Sequence, residues 1–138
     1  MLVKHILLTL IVAVAAIYMG RQFAPATRTL LQIVGLCLAV PAFVFWTVAR
    51  VQLGTSFAVT AQAKHLVTRG LYSKIRNPIY VFGSLFIIAF ILFLGRPLWL
   101  LIFVAIIPLQ IWRAGNEAKV LEATFGEEYR AYRAGTWF

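Results

Sequence analysis

The chain has 138 residues, of which 62% are hydrophobic and 12% are charged, and its formal net charge is +9. A soluble domain is closer to half apolar and a quarter charged, so this composition favours an integral membrane protein with one compact domain. Excess Lys and Arg is typical of loops beside membrane helices, so the charge does not indicate nucleic-acid binding. The single cysteine, Cys37, excludes an internal disulfide, and no Cys or His spacing predicts a metal site.

Two apolar runs predict two transmembrane helices in residues 1–56. The first run covers residues 2–19, and we interpret it as a membrane helix because no small-residue cleavage site of a signal peptide follows it. The second covers residues 29–51 and contains Pro41, which a membrane helix tolerates. We expect residues 57–138 to form the core of the same single domain, with residues 57–66 along the membrane interface.

The most polar interruption of the apolar sequence is residues 66–83, which read LVTRGLYSKIRNPIYVFG. Asn is a favourable N-cap and Pro is favoured at the first helical position, so Asn77 and Pro78 predict a helix that begins at Pro78 and ends near residue 94. The free N–H groups at the start of a helix attract anions. The sequence therefore predicts an anion site beside this basic stretch.

A fourth apolar run covers residues 98–112. Residues 95–97, Gly-Arg-Pro, predict a tight turn before it, so we expect the third and fourth helices to pack together, with Gly83 and Ser84 allowing close approach. Residues 113–138 contain all four glutamates and an apolar face at helical spacing, which predicts an amphipathic segment outside the membrane with a break at Gly126. The predicted fold class is all-α, with four transmembrane helices and a C-terminal amphipathic cytoplasmic segment.

The basic residues predict the orientation of these helices. Ten of them fall on one side of the predicted membrane and three on the other. The ten are Lys4, Arg50, Lys64, Arg69, Lys74, Arg76, Arg113, Lys119, Arg130 and Arg133, and the three are Arg21, Arg28 and Arg96. The positive-inside rule then places both termini and the central basic loop in the cytoplasm, with the helices in an inner or cytoplasmic membrane. The basic stretch and the acidic tail can meet on that face.

Two pairs of side chains are candidates for chemistry. Arg113 and Glu117 are four residues apart and share a helical face near the membrane boundary, while Asn77 and Tyr80 share a face on the preceding helix. Structural roles remain open for each of them: Arg113 can snorkel or pair with Glu117, Asn77 can cap, and Tyr72 and Tyr80 can anchor at the interface. The residues alone indicate an anion-binding membrane site with one useful carboxylate, without naming a reaction.

Three spaced blocks of sequence resemble a known family. They are L-V-T-x-G-x-Y from Leu66, R-N-P-x-Y-x-x-G from Arg76, and R-x-x-x-E-x-x-x-L-x-x-x-F-G-x-x-Y-x-x-Y from Arg113. In order and spacing they are similar to the isoprenylcysteine carboxyl methyltransferase and phospholipid methyltransferase superfamily of integral membrane methyltransferases. The resemblance covers residues 64–133, about half of the chain.

The resemblance implies an enzyme that uses S-adenosylmethionine in a cytoplasmic pocket. It assigns Arg113 to the substrate, as the residue that holds the methyl acceptor. The cofactor-binding residues that it implies are Lys64, His65, Leu66, Val67, Tyr72, Asn77, Pro78, Ile79, Tyr80 and Glu117. Two positions depart from the family pattern, because Asn77 stands where a histidine is usual and Ala118 stands where a second glutamate is usual.

A carboxylate acceptor needs no base, whereas an amine must first lose a proton, so the missing histidine favours methyl transfer to a lipophilic carboxylate. The alternatives are N-methylation of a phosphatidylethanolamine-type lipid, a nicotinamide-dependent reductase relative, and a small membrane protein without enzymatic activity. The expected partners are a lipophilic or lipid-modified acceptor and the membrane lipid, with no nucleic acid and no metal, and the oligomeric state stays open.

Overall fold

The computed structural model describes residues 2–23, 26, 28–54 and 66–137. The helices, in chain order, are α1 (Leu2–Phe23), α2 (Leu30–Leu53), α3 (Pro78–Phe93), α4 (Phe103–Phe125) and α5 (Glu127–Ala134). Short 3₁₀ helices at Gly70–Ser73 and Pro97–Ile102 precede α3 and α4. In this part of the chain an isolated parallel bridge joins Ile75 to Trp137, and no strand is formed. The protein is an all-α membrane bundle, as its sequence predicts.

Among the described residues, three segments are long and apolar enough to cross a membrane: Ile6–Phe23, Leu30–Leu53 and Pro97–Phe125. Helix α3 is more apolar than these segments but has 16 residues, which corresponds to a length of about 24 Å. That is slightly shorter than the roughly 30 Å hydrocarbon core of a bilayer. The first span continues through Gly20 to Phe23, so the end predicted after residue 19 was placed too early.

Helix α2 begins with a capping box formed by Thr29 and Gln32. The Thr29 N–H donates to Gln32 Oε1 at 2.7 Å, and the Gln32 N–H donates to Thr29 Oγ1 at 3.4 Å. These two bonds satisfy backbone donors that a helix start leaves without partners. Gln32 is buried against the turn after α3, where Gly95 has φ +67° and a Cβ would clash with Gln32 Nε2.

Helices α2 and α3 form the close helix pair of the bundle. The residues of α2 that are buried against α3 are mostly small. A Cβ added at Gly35 would lie 2.7 Å from the Ala89 carbonyl oxygen of α3. The buried small residues of α2 are Gly35, Ala39, Ala42 and Ala49. Aromatic contacts support the same interface, including Phe45 on Phe82 at 5.1 Å between ring centroids. Close backbone approach at small residues is the usual way in which membrane helices gain packing energy.

The third and fourth helices contact each other through side chains, but the predicted close backbone approach at Gly83 and Ser84 is wrong. The backbones of α3 and α4 stay apart along most of their length, while α3 lies against α2. Gly83 faces the Trp46 ring of α2, and a Cβ added at Gly83 would lie 3.3 Å from the indole. The tight turn brings the ends of α3 and α4 together, but the small residues that permit close approach lie on α2. Ser84 reaches α4 through a side-chain hydrogen bond instead.

Helix α4 continues well beyond the predicted end of the fourth span. It passes through residue 112 without a break and ends at Phe125, where Gly126 has φ +50°. The predicted break at Gly126 is therefore confirmed, and the predicted boundary at residue 112 is wrong. Consequently Arg113 and Glu117 lie on the same uninterrupted helix as the apolar segment that can cross the membrane.

Candidate functional site

The C-terminal segment is bound to the basic loop that precedes α3. The Trp137 N–H donates to the Lys74 carbonyl at 2.9 Å, and the Arg76 N–H donates to the Trp137 carbonyl at 3.3 Å. The Tyr132 hydroxyl donates to the Tyr72 carbonyl at 2.7 Å. These bonds confirm that the basic stretch and the acidic tail meet on one face of the bundle.

The 3₁₀ helix Gly70–Ser73 is held against the end of α2. The Leu71 N–H donates to Gln52 Oε1 at 2.9 Å, and Gly70 has φ +62° where a Cβ would meet the Gln52 amide. Tyr72 is 5% exposed, and its hydroxyl donates to the Ala49 carbonyl at 3.3 Å. Burial raises the pKa of Tyr72, so its hydroxyl stays protonated at neutral pH. Tyr72 thus anchors the loop, and its role toward a cofactor stays a prediction.

Helix α3 begins at Pro78, as predicted, but Asn77 does not cap it in the predicted way. The Asn77 carbonyl accepts the N–H groups of Tyr80 and Val81, while its side chain makes no capping hydrogen bond. A residue that caps a helix with its side chain usually has an extended backbone, as Thr29 does with a ψ of 162° at the start of α2. Asn77 instead has a ψ of 58°. The half-buried Asn77 amide is therefore left available at the junction of the loop and the helix.

A hydrogen bond joins α3 to α4 at the centre of the candidate site. The Tyr80 hydroxyl donates to Glu117 Oε1 at 2.6 Å, and the Arg113 side chain interacts electrostatically with the same hydroxyl. Arg113 and Glu117 form no ion pair with each other in the described structure. The ion pairs found there lie on the tail, for example between Arg130 and Glu122 at 2.9 Å. The hypothesis that Arg113 and Glu117 pair only with each other is therefore not supported.

The remaining predicted site residues fall into two groups. Lys64 and His65 lie outside the described residues. Leu66 and Val67 are half-buried immediately before the 3₁₀ helix, and Ile79 is half-buried in the first turn of α3. The structure thus brings the loop before α3, the start of α3 and the α4 carboxylate to one end of the bundle, while their contacts with a ligand stay predictions.

Several polar groups near this end had no predicted role in the site. Ser84 and Gln110 bond each other across the α3–α4 gap, and Arg76 Nε is buried without a hydrogen-bond partner among the described residues. Tyr132 bonds the loop, and burial raises its pKa to about 12. Gln110 offered a signal, since it is a polar residue inside an apolar run, three positions before Arg113 on the same helical face.

This architecture defines a class of protein: an all-α membrane bundle whose polar side chains converge at one end, between a basic loop and the last long helix. The sequence matches the phospholipid methyltransferase family over residues 23–128, and the chain belongs to that family. The match confirms membership of the isoprenylcysteine and phospholipid methyltransferase superfamily that the sequence blocks resemble. No curated protein matches the chain.

Proposed function

We propose that the protein transfers a methyl group from S-adenosylmethionine to a lipophilic carboxylate at the cytoplasmic membrane face. Family membership supports a membrane methyltransferase. The observation that carries the finer proposal is the Tyr80–Glu117 bond, which places a half-buried carboxylate beside Arg113. The charge distribution supports the cytoplasmic placement, since the basic loop and the tail lie at the same end as this bond.

Glu117 is suited to the cationic amino group of the cofactor. Its Oε1 accepts from Tyr80, and its Oε2 makes no hydrogen bond among the described residues. The Asn77 amide, free of a capping role, offers both a donor and an acceptor at the start of α3. The other residues that would hold the cofactor are Lys64, His65, Leu66, Val67, Tyr72, Pro78, Ile79 and Tyr80.

Arg113 is suited to the acceptor carboxylate, because its planar guanidinium can bind both carboxylate oxygens at once. When bound, S-adenosylmethionine would supply the methyl group of its sulfonium to the carboxylate oxygen of an acceptor held by Arg113, with the carbon–sulfur bonding pair left on sulfur. The products would be a methyl ester and S-adenosylhomocysteine. The residues of the chain contribute alignment of the two reactants, which is worth on the order of 7–11 kcal/mol in favourable cases.

The carboxylates of the described structure favour an acceptor that needs no base. Glu122 and Glu127 bind Arg130, and Glu128 is exposed on α5. Glu117 is the one described carboxylate in the gap between α3 and α4. In this proposal it binds the cationic amino group of the cofactor and does not serve as a base. An ammonium acceptor would need another group to remove its proton before it could attack.

The second candidate is N-methylation of a phosphatidylethanolamine-type lipid. The family description favours it, and an arginine can bind the phosphate of such a lipid as well as it binds a carboxylate. In that case Arg113 would hold the phosphate, and the amine would reach the methyl donor from the lipid head group.

The test is a methyl-transfer assay with purified protein and S-adenosylmethionine labelled in the methyl group. Lipid-linked carboxylates and phosphatidylethanolamine are offered in separate reactions, and the products are treated with base. A carboxylate acceptor gives a methyl ester that releases volatile label, whereas an N-methyl group keeps its label. Label that stays in phosphatidylethanolamine favours the second candidate. Absence of S-adenosylmethionine binding by folded protein would overturn both, and a parallel titration with a nicotinamide cofactor tests the reductase alternative.

A further inference from the structure

The polar side chains of α3 and α4 form two facing stripes. On α3, Tyr80 and Ser84 are one helical turn apart, and on α4, Gln110, Arg113 and Glu117 share one face. One link between the stripes is the Tyr80–Glu117 bond. The other joins Ser84 Oγ to Gln110 Oε1 at 3.1 Å and Gln110 Nε2 to Ser84 Oγ at 3.0 Å. Along α4, Arg113 lies between the two links.

The Ser84–Gln110 link lies within apolar helices. Both residues are half-buried, and Gln110 belongs to the segment Pro97–Phe125 that can cross a membrane. Polar side chains in such a position are costly unless they bond each other. The α2–α3 interface shows that this bundle can pack helices through small and aromatic residues. The amide of Gln110 keeps a second N–H and further lone pairs beyond the bond to Ser84. The pair therefore has hydrogen-bonding capacity that helix packing does not use.

An apolar cavity of about 470 Å³, which is wide open to its surroundings and is lined by Met19 of α1 as well as by α3, begins one turn further along α3. Phe86 and Ile87 form its near end, and Leu94 and Trp99 line its far end at the turn before α4. Its volume lies within the range of roughly 300–1,000 Å³ that is common for small-molecule sites. From one end of the bundle to the other, α3 and its neighbours thus present a cationic group, a neutral hydrogen-bonding pair and an apolar cavity.

We propose that Ser84 and Gln110 are specificity-determining residues that bind a neutral carbonyl of the acceptor, an amide or ester, lying a few bonds from its anionic group. This inference rests on the proposed function for placing the anionic group at Arg113. Gln110 is three residues from Arg113, or about 4.5 Å along the helix axis. That distance corresponds to about three to five covalent bonds of an acceptor chain. The apolar remainder of the acceptor then occupies the cavity, and without an acceptor the two side chains satisfy each other.

The test measures acceptor binding without cofactor, using purified protein in detergent and two probes of equal chain length, N-palmitoylglycine and an unbranched saturated fatty acid. Both carry a carboxylate and an apolar chain, and the first adds an amide close to the carboxylate. Wild-type protein is expected to bind the amide probe about tenfold more tightly, the effect of one net hydrogen bond. Gln110→Leu and Ser84→Ala should each reduce this preference to less than about twofold while leaving fatty-acid binding unchanged.

Two control variants separate recognition from structure. Ser84→Thr keeps the hydroxyl and should keep the preference. Ile111→Ala, at an exposed position away from the face that carries Gln110 and Arg113, should leave both affinities unchanged. Four results would each overturn the inference. Wild type could bind the two probes equally or bind neither, the preference could survive both substitutions, or the variants could lose both probes together. An intact preference in a protein that transfers no methyl group would overturn the proposed reaction and leave the binding role of the pair standing.

Discussion

Replacing Glu117 by Gln is the sharpest test of the cofactor site, because the substitution removes a charge and little else. Glu117 Oε1 accepts the Tyr80 hydroxyl at 2.6 Å. A glutamine oxygen can accept the same proton, so the α3–α4 link should remain. A hydrogen bond to a charged group contributes about 1.5–3 kcal/mol. If Glu117 meets the cationic amino group of the cofactor, its affinity for S-adenosylmethionine should fall by about one to two decades from a wild-type value near the micromolar range.

Replacing Arg113 by Lys should impair methyl transfer rather than cofactor binding. Lysine keeps the positive charge but loses the planar fork that binds two carboxylate oxygens. Cofactor affinity should therefore survive, while methyl transfer to the acceptor falls. The assay is a titration of each variant with S-adenosylmethionine beside its melting temperature and its rate. Glu128→Gln is the matched control, since it makes the same chemical change as Glu117→Gln at an exposed carboxylate of α5, outside the gap between α3 and α4.

Two results would refute this division of roles. If Arg113→Lys loses the cofactor as severely as Glu117→Gln, Arg113 does not act on the acceptor alone. If both substitutions lower the melting temperature and neither changes ligand affinity selectively, the two residues serve the fold rather than the reaction.

Further outcomes test the start of α3, the topology, the α2–α3 interface and the tail. Asn77→His should keep or raise activity, whereas Asn77→Ala should weaken cofactor binding in a titration, and equal binding by Asn77→Ala and wild type would exclude a role for the amide. Phe23→Cys and Thr136→Cys, in a cysteine-free background, should label from opposite sides of the membrane, and labelling from one side contradicts the topology. Gly35→Val should lower the melting temperature, because its Cβ would meet the α3 backbone at less than 3 Å. Burial raises the pKa of Tyr132 to about 12, so the stability from its bond is present below pH about 10 and is lost as pH rises toward 12; Tyr132→Phe should remove that alkaline loss in denaturation curves.

Local rules explain which parts of the fold the sequence predicts well. Pro78 marks the start of α3 and Gly126 ends α4, because each acts on backbone groups within a few residues. The shared face of Arg113 and Glu117 also follows from helical spacing alone. These predictions need no knowledge of how the helices pack.

The packing partners of the helices did not follow from chain order. The short turn at Gly95 suggested that α3 packs on α4, but the choice is made by the buried small residues of α2, which let the backbones of α2 and α3 approach. A stripe such as Gly35, Ala39 and Ala42 was visible in the sequence, but its partner was not. The Tyr80–Glu117 bond depends on the same arrangement of helices. Helical spacing therefore identified each residue as a candidate for the site but did not predict that the two bond each other.

In the proposed site, the unbroken course of α4 would connect acceptor and cofactor more tightly than two separate segments would. Because Gln110, Arg113 and Glu117 belong to one helix, their relative positions are fixed by helical geometry. The bonds of Tyr80 to Glu117 and of Ser84 to Gln110 then limit how α4 can rotate or slide along α3. An in-line methyl transfer depends on such alignment, and a misplacement of about 1 Å can cost a hundredfold in rate. The polar links across a loosely packed helix pair are therefore where we expect reactivity, rather than stability, to be most sensitive to substitution.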